Sequence, residues 1–216
     1  RDEEVRGIVR RSGQDRRTRL VEGDRISVHV GHMGIACLDK QGRVLWRNQK
    51  LGYRPVHGSG GSPILVGDKL IFNCDGAQDP FIVALEKKSG KVAWRVSRVT
   101  DARKTFSFCT PLLISVNGQN QVISPGSNVV NALNPDTGES IWQVRYDGFS
   151  VVPRPVFDHG LLFLSSGFER PVLLAIRPDG RGDVTDTNVV WSSRRSVPKT
   201  SSFLSIDTEL YSFSDN

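Results

Sequence analysis

Two histidines, His29 and His32, are the first residues in this chain whose types and spacing could bind a metal ion. They lie near the end of a segment that reads as an extended strand, where side chains three positions apart point to opposite faces. No neighbouring carboxylate or cysteine completes a set of ligands. We therefore predict that both histidines are structural and that they form no metal site.

The three cysteines are widely spaced at Cys37, Cys74 and Cys109, with no CxxC pair, no adjacent pair and no zinc-ligand spacing. We interpret them as three buried thiols that pack as small apolar groups. A single disulfide with one thiol left over is the alternative for an exported protein.

Three aspartates, Asp179, Asp183 and Asp186, lie in a turn-rich segment that invites comparison with a calcium-binding loop. Their spacing does not follow the alternating ligand positions of such a loop, and no bidentate glutamate follows at the twelfth position. We predict a turn-rich insertion between two strands, with weak calcium binding as the alternative.

The segment 57–62 (HGSGGS) is glycine-rich, as phosphate-binding loops are. Those loops lead into a helix N-terminus and usually carry a lysine, whereas a proline-led strand follows here. No G-x-S-x-G sequence marks the nucleophile of a hydrolase either. We predict a connecting loop and no catalytic residue.

The chain has 216 residues, with 29 Lys+Arg against 23 Asp+Glu and a formal net charge of +6. The densest basic cluster lies near the N-terminus, but acidic residues surround it and no aromatic residues interleave with it, as they would in a nucleic-acid surface. We interpret residues 1–16 as a solvated or frayed basic segment and expect no nucleic-acid partner. No run approaches the roughly 20 apolar residues that cross a bilayer, so we expect no transmembrane segment.

An internal repeat of about 48 residues organises the rest of the chain. The four tryptophans are separated by 48, 48 and 49 residues, and each of the first three follows a glycine by four positions. Short apolar runs separated by glycine-containing turns recur in step with them. The residues that mark the repeat are Trp46, Trp94, Trp142 and Trp191, and Gly42, Gly90 and Gly138.

Each repeat predicts four short β-strands, and helical periodicity is absent over any comparable window. A four-stranded unit that recurs every roughly 40–50 residues is typical of a β-propeller blade. We therefore predict an all-β propeller over residues 17–216. Its blades are expected at about residues 17–47, 62–97, 110–146 and 154–193, followed by an incomplete blade at 201–216.

The tryptophans are predicted to pack between blades rather than to catalyse a reaction. The faces of a blade can be covered only by its neighbours, and an indole beside a glycine turn can fill the seam without clashing with the backbone of the neighbouring blade. A small residue ten positions before the tryptophan, Ala84 or Ala132, leaves room for that indole.

Residues 84–94 (ALEKKSGKVAW) and 132–142 (ALNPDTGESIW) resemble the tryptophan-docking motif of pyrroloquinoline-quinone-like β-propellers. That superfamily includes quinoprotein dehydrogenases and the BamB-like propellers of outer-membrane assembly. Four longer segments are similar to secreted BamB-like propellers of planctomycete-type bacteria; they are residues 57–65, 144–156, 175–191 and 210–216. The resemblance implies a ring of seven or eight blades, of which about four are present here, so we interpret the chain as part of a longer protein.

The same resemblance implies what a catalytic member would need. Quinoprotein dehydrogenases hold the quinone with Ca²⁺, a catalytic aspartate and commonly a disulfide between adjacent cysteines. This sequence has no adjacent cysteines and no long insertions for the metal ligands. We therefore expect no cofactor, with pyrroloquinoline quinone and Ca²⁺ as the alternative.

A cluster of loop residues is a candidate for a contact surface, because aromatic and Arg residues on connecting loops are typical of surfaces that contact proteins or acidic glycans. For Phe106 and Phe149, a place in the core is the alternative. The candidates are His57, Arg103, Lys104, Phe106, Phe149, Arg154, Phe168 and Arg170.

The resemblance thus implies a non-catalytic scaffold that binds a protein or an acidic glycan outside the cytoplasm, as a periplasmic, secreted or cell-envelope protein. A quinone-dependent dehydrogenase and the extracytoplasmic sensor domain of a larger signalling protein are the alternatives. The sequence leaves the oligomeric state open.

Overall fold

The apolar runs of the repeat form β-strands throughout the described part of the chain. The structure is a computed structural model and describes residues 18–58 and 60–213. Within these ranges the chain forms 19 strands, one 3-10 turn at Gly31–Met33 and one short helix, α1, at Thr185–Asn188. The predicted basic segment 1–16 and residues 214–216 of the incomplete blade lie outside the described residues.

The strands form five sheets in chain order. Sheet 1 contains β1 (Thr18–Glu22), β2 (Arg25–His29), β3 (Ile35–Asp39) and β4 (Val44–Asn48). Sheet 2 contains β5 (Ile64–Val66), β6 (Lys69–Cys74), β7 (Phe81–Glu86) and β8 (Val92–Ser97). All neighbouring strands of these two sheets are antiparallel.

Sheet 3 contains β9 (Leu112–Val116), β10 (Gln119–Gly126), β11 (Val129–Leu133) and β12 (Ser140–Arg145), and it gains β16 (Gly182–Asp183) as a parallel fifth strand. Sheet 4 contains β13 (Val156–Asp158), β14 (Leu161–Ser165), β15 (Leu173–Ile176) and β17 (Val189–Ser193). Sheet 5 has β18 (Leu204–Ile206) and β19 (Glu209–Tyr211).

Tight turns join the first two strands of each sheet. Between β9 and β10 the turn is Asn117-Gly118, with φ of 50° and 76°, and between β13 and β14 it is His159-Gly160, with φ of 47° and 75°. Two consecutive residues with positive φ are what a two-residue hairpin needs to match the twist of its strands. These turn residues therefore fix the register of the apolar runs on either side.

A bulge in the last strand pair recurs in all four complete sheets. In each, a small residue on the third strand lies directly opposite the tryptophan on the fourth, and the register shifts immediately after it. The pairs are Cys37 with Trp46, Ala84 with Trp94, Ala132 with Trp142, and Ala175 with Trp191. For Trp46 and Trp94 this small residue leaves space for the indole to reach the next sheet directly.

Two of the tryptophans dock on the glycine turn of the following sheet. Trp46 donates from Nε1 to the carbonyl of Lys87 at 3.0 Å, and a Cβ added at Gly90 would overlap its ring. Trp94 donates to the carbonyl of Pro135 at 2.9 Å, and a Cβ at Gly138 would lie 2.8 Å from its ring atom Cδ2.

Trp142 reaches the next sheet through an intermediary. Its Nε1 donates to the side-chain oxygen of Gln121 at 2.8 Å, and the Gln121 amide donates to the carbonyl of Pro178 at 3.0 Å. Pro178 follows Ala175 by three positions, as Lys87 follows Ala84. Gln121 therefore connects the same two partners that meet directly at the two earlier seams.

The insertion in the fourth repeat explains this difference. It includes β16, which pairs with β12, and α1, so the glycine of this repeat, Gly180, packs against Val184 and Asn188 instead of an indole. Trp142 is fully buried as a result. The predicted turn-rich insertion is thus a small structured element that covers the outer edge of sheet 3.

The two remaining members of the predicted docking set differ from the others. Trp191 is 41% exposed, with its ring 6.0 Å from that of Phe163. Gly42 has no atom within 4 Å of an added Cβ. Within residues 18–58 and 60–213, neither takes part in a tryptophan-on-glycine contact.

Three apolar clusters fill the seams between sheets 1 and 2, 2 and 3, and 3 and 4. The all-β architecture of four-stranded blades is therefore confirmed, as part of a propeller. Cys37, Cys74 and Cys109 are all buried free thiols, as the first interpretation of them predicted. None of the helices in the described residues is long and apolar enough to cross a membrane.

Candidate functional site

The antiparallel order of the strands gathers two kinds of connection at one edge of the blades: the loops between sheets and the loops between second and third strands. We call this edge the loop face. Its segments are residues 30–34, 49–58, 60–63, 75–80, 98–111, 127–128, 146–155, 166–172 and 194–203. All eight residues predicted for a contact surface lie in these segments.

Three aromatic rings from different loops meet at the centre of this face. Phe106 contacts His57 edge-on with ring centroids 5.7 Å apart, and it contacts Phe149 edge-on at 5.8 Å. Phe108 lies 5.9 Å from Phe106 on its other side. Edge-to-face contacts at these distances contribute more stabilising free energy than the burial of their surface area alone would give. We call these four residues the ring cluster.

Main-chain hydrogen bonds hold the same loops together. Phe108 N donates to Val151 O at 2.8 Å, and Ser150 N donates to Phe106 O at 3.1 Å. Phe168 N, from the next loop, donates to Phe149 O at 2.9 Å. The loops are therefore bonded to one another, which holds the rings in place before any partner arrives.

A lysine joins the ring cluster. Lys104 Nζ lies 4.2 Å above the centroid of Phe149, within the range of a cation–π interaction, and 3.5 Å from the carboxylate of Glu169. Beside it, Phe168 is 49% exposed, with Lys199 Nζ 5.8 Å from its ring. The surface that results is aromatic, cationic and open to solvent.

The other predicted cations lie on the same loops but outside this arrangement. Arg103, Arg154 and Arg170 are exposed, and among the described residues none of them forms a ring contact or an ion pair. Phe106 and Phe149 are half-buried, and neither belongs to the apolar clusters in the seams.

Sequence reasoning missed a buried ion pair directly below these loops. Arg98 and Asp75 have fully buried side chains, and the guanidinium contacts both carboxylate oxygens at 2.9 and 3.1 Å. The guanidinium also donates to Ser124 and Asn131 of sheet 3 at 2.7–2.8 Å. Burial raises the pKa of Asp75, and Arg98 opposes that rise. The only general rule that could have suggested this pair is that charged side chains are almost never fully buried unless they are paired.

A small cavity lies beside the ion pair, between sheets 1 and 2. Among its lining residues are His29, Tyr53, Asp75 and Cys109, and it has room for about one water molecule. Burial lowers the pKa of His29 to about 4 and raises that of Cys109. The imidazole is therefore neutral and the thiol protonated near neutral pH, which suits a structural role better than nucleophilic catalysis.

The described residues do not fit a calcium-bound quinone. No three His, Cys, Asp or Glu side chains converge on one point in residues 18–58 and 60–213. Asp75, the buried carboxylate nearest the cavity, is already neutralised by Arg98. We therefore derive no chemical step through a quinone.

Comparison with known proteins places these features in a family. The profile of the family described as outer membrane protein assembly factor BamB matches residues 9–108 and 79–215. A comparison with curated proteins gives no match. The similarity to planctomycete-type propellers stays a prediction.

Solved structures share the fold at low identity. BamB from Moraxella catarrhalis has a TM-score of 0.59 and 18% identity, over 84% of this chain and 52% of its own. The quinohemoprotein alcohol dehydrogenase of Pseudomonas putida HK5 has a TM-score of 0.60 and 15% identity, over 89% of this chain and 37% of its own. That of Comamonas testosteroni has a TM-score of 0.56 and 12% identity, over 83% and 35%.

This chain therefore spans about half the length of the BamB structure and little more than a third of each dehydrogenase. At such identities the likeness to an assembly factor and to two dehydrogenases shows the fold alone.

Proposed function

The chain belongs to the family of outer membrane protein assembly factor BamB, and from that premise we propose that it is a non-catalytic propeller that binds a protein partner outside the cytoplasm. The loop face is the binding surface. Its blades supply a rigid frame, and its loops present aromatic and cationic side chains to the partner.

The ring cluster and Lys104 are the observation that supports this proposal. Edge-to-face contacts hold Phe106 and Phe149, and main-chain hydrogen bonds hold their loops. Binding a partner therefore costs little conformational entropy at these residues. Phe168 adds an exposed ring at the rim. Aromatic residues are enriched in the cores of protein interfaces.

Membership in the BamB family supports a cell-envelope, periplasmic or secreted location. It also supports a protein rather than a glycan as the partner, and no cofactor is required for such a role. An acidic glycan is the other outcome that the experiments below distinguish.

Site-specific photo-cross-linking tests the proposal in the protein produced from its full reading frame. A photoreactive phenylalanine analogue replaces Phe168 on the loop face, and in a matched control it replaces Lys88, which is exposed at the opposite edge of sheet 2. We expect a defined protein adduct in intact cells from position 168 only. Adducts from both positions, or from neither, would contradict the proposal.

Quinone-dependent oxidation of an alcohol is the alternative, since two dehydrogenases share the fold. Calorimetric titration of pyrroloquinoline quinone with Ca²⁺ into the folded full-length protein separates the two functions. Stoichiometric tight binding would overturn the scaffold proposal, whereas no heat would remove the enzyme from consideration. A reading frame that joins this chain to a membrane segment and an effector domain would favour the sensor alternative.

A further inference from the structure

We infer that Glu169 occupies the place of a partner carboxylate, so that the partner of the loop face is an acidic protein segment whose carboxylate displaces Glu169 from Lys104. This inference rests on the proposed function and specifies the chemistry of the partner.

Glu169 is presented to Lys104 by its main chain. It has a φ of 57°, a conformation that residues other than glycine seldom adopt and that persists only where the surroundings impose it. The residues before it impose this one: Phe168 N donates to Phe149 O at 2.9 Å, and Gly167 lies so close to that carbonyl that a Cβ would overlap it. From this turn the Glu169 carboxylate lies 3.5 Å from Lys104 Nζ, beside the ring cluster.

The bond between Glu169 and Lys104 is nevertheless weak. Its atoms are 3.5 Å apart, and the two side chains are 62% and 54% exposed. Ion pairs with such exposure contribute little to stability because water and salt screen them. A carboxylate from a partner can therefore replace Glu169 at small cost, provided that it brings other favourable contacts.

The neighbouring residues indicate what those contacts are. Lys104 already lies above the Phe149 ring, and the exposed Phe168 ring adjoins Glu169 in sequence. Arg103 and Arg170 add positive charge on the same loops. The complementary segment carries a carboxylate next to an aromatic or aliphatic side chain, which rests on Phe168 while the carboxylate meets Lys104.

Glu169 then selects among partners. A segment with apolar side chains alone leaves the Lys104–Glu169 pair intact, and a segment with carboxylates alone gains little from displacing it. Only a segment with both kinds of side chain gains from binding, which is how a competing internal group produces specificity.

Selection from a random 12-residue peptide display library tests this inference, with the full-length protein as bait. We expect enriched peptides to combine Asp or Glu with an adjacent Phe, Tyr, Trp or Leu. Glu169→Gln should tighten binding of an enriched synthetic peptide two- to fivefold, and Lys104→Gln should weaken it at least fivefold. Glu139→Gln, at an exposed glutamate on the opposite edge, should change nothing.

The outcomes separate the two proposals. Enrichment of peptides without acidic residues, or an affinity unchanged by Glu169→Gln, would overturn the role of Glu169 and leave the loop face as a binding surface. Failure of Phe149→Ala to reduce any binding would instead overturn the loop face itself. Binding of polygalacturonate without enrichment of any peptide would overturn the inference in favour of a glycan.

Discussion

The indole of Trp94 lies on Gly138 of the following sheet, where an added Cβ would be 2.8 Å from ring atom Cδ2, and its Nε1 donates to Pro135 O at 2.9 Å. Trp46 and Gly90 repeat the same contact one seam earlier. The docking unit therefore joins two sheets through one stacked ring and one hydrogen bond. Each sheet is stabilised by its neighbour rather than by itself.

Gly138→Ala and Gly42→Ala form a matched pair that isolates this contact. The two glycines have nearly equal φ, 78° and 82°, but only Gly138 faces an indole. Gly42→Ala should cost about 1–2 kcal/mol of unfolding free energy from its positive φ alone. Gly138→Ala should cost about 1–3 kcal/mol more because the ring must move. Urea denaturation measures both, and equal losses would show that the indole does not require the glycine.

Gln121→Met tests the relay between Trp142 and Pro178. The substitution keeps the side-chain length but leaves a buried N–H and a buried carbonyl without partners. We expect the free energy of unfolding to fall by about 2–4 kcal/mol, since each buried polar group without a partner costs about 1–3 kcal/mol. In a Trp142→Phe background the same substitution should cost clearly less, because only the Pro178 carbonyl is then left. Additive losses in this cycle would argue against the relay.

Two of the seams have a clear signal in the sequence because their parts are local and repeated. The glycine, the small residue and the tryptophan recur at fixed spacing, and each requires only its own sheet and the next. The relay through Gln121 escaped prediction because the insertion in the fourth repeat redirects the turn that would have met Trp142. A change of loop path cannot be read from the spacing of the motif.

The loop face was predicted by residue type but not by geometry. Residue type alone makes Lys104, Phe106 and Phe149 candidates for a contact surface, yet their contacts depend on main-chain bonds between loops that no pattern marks. Glu169 had no distinguishing signal, because its role follows from the path of its own loop. Arg98 and Asp75 are 23 residues apart and are not among the residues that mark the repeat, so their pairing is a purely tertiary feature.

Removing one partner of the buried pair should destabilise the protein strongly. Arg98→Met leaves the fully buried Asp75 carboxylate without its counter-charge. We expect this change to lower the free energy of unfolding by about 3–5 kcal/mol. Adding Asp75→Leu should recover at least half of that loss, because no charge then remains buried. Chemical denaturation of the two single variants and the double variant measures the coupling, and a double variant no better than Arg98→Met would contradict this account.

Burial of His29 makes stability depend on pH. Its pKa is lowered to about 4 in the folded protein, whereas an unfolded histidine titrates near pH 6.5. The unfolded chain therefore binds a proton first, so the stability that neutral His29 contributes is complete above about pH 6.5 and is lost as the pH falls towards 4. The total change in the free energy of unfolding from this effect is about 3 kcal/mol.

His29→Gln should flatten this part of the curve. The difference in unfolding free energy between the wild type and the variant isolates the imidazole from carboxylates that titrate in the same range. His32→Gln, at the exposed histidine nearby, should keep the wild-type slope. Parallel curves for the wild type and His29→Gln would show that burial does not hold the imidazole neutral.

Phe106→Ala should loosen the loop face without opening the blades. Phe106 touches His57, Phe108 and Phe149, and each aromatic contact contributes about 0.5–1.5 kcal/mol. Their loss should speed hydrogen exchange at the amides of Phe108 and Ser150, which bond across the two loops, by at least tenfold. The amide of Gly90, which bonds within the sheet 2 turn, should exchange at the wild-type rate.

Phe168→Ala, which removes an exposed ring, is the control variant. It should leave all three exchange rates unchanged while still weakening a bound peptide. Faster exchange at Gly90 as well in Phe106→Ala would mean that the loops and the seams open as one cooperative unit, which would contradict an effect confined to the loop face.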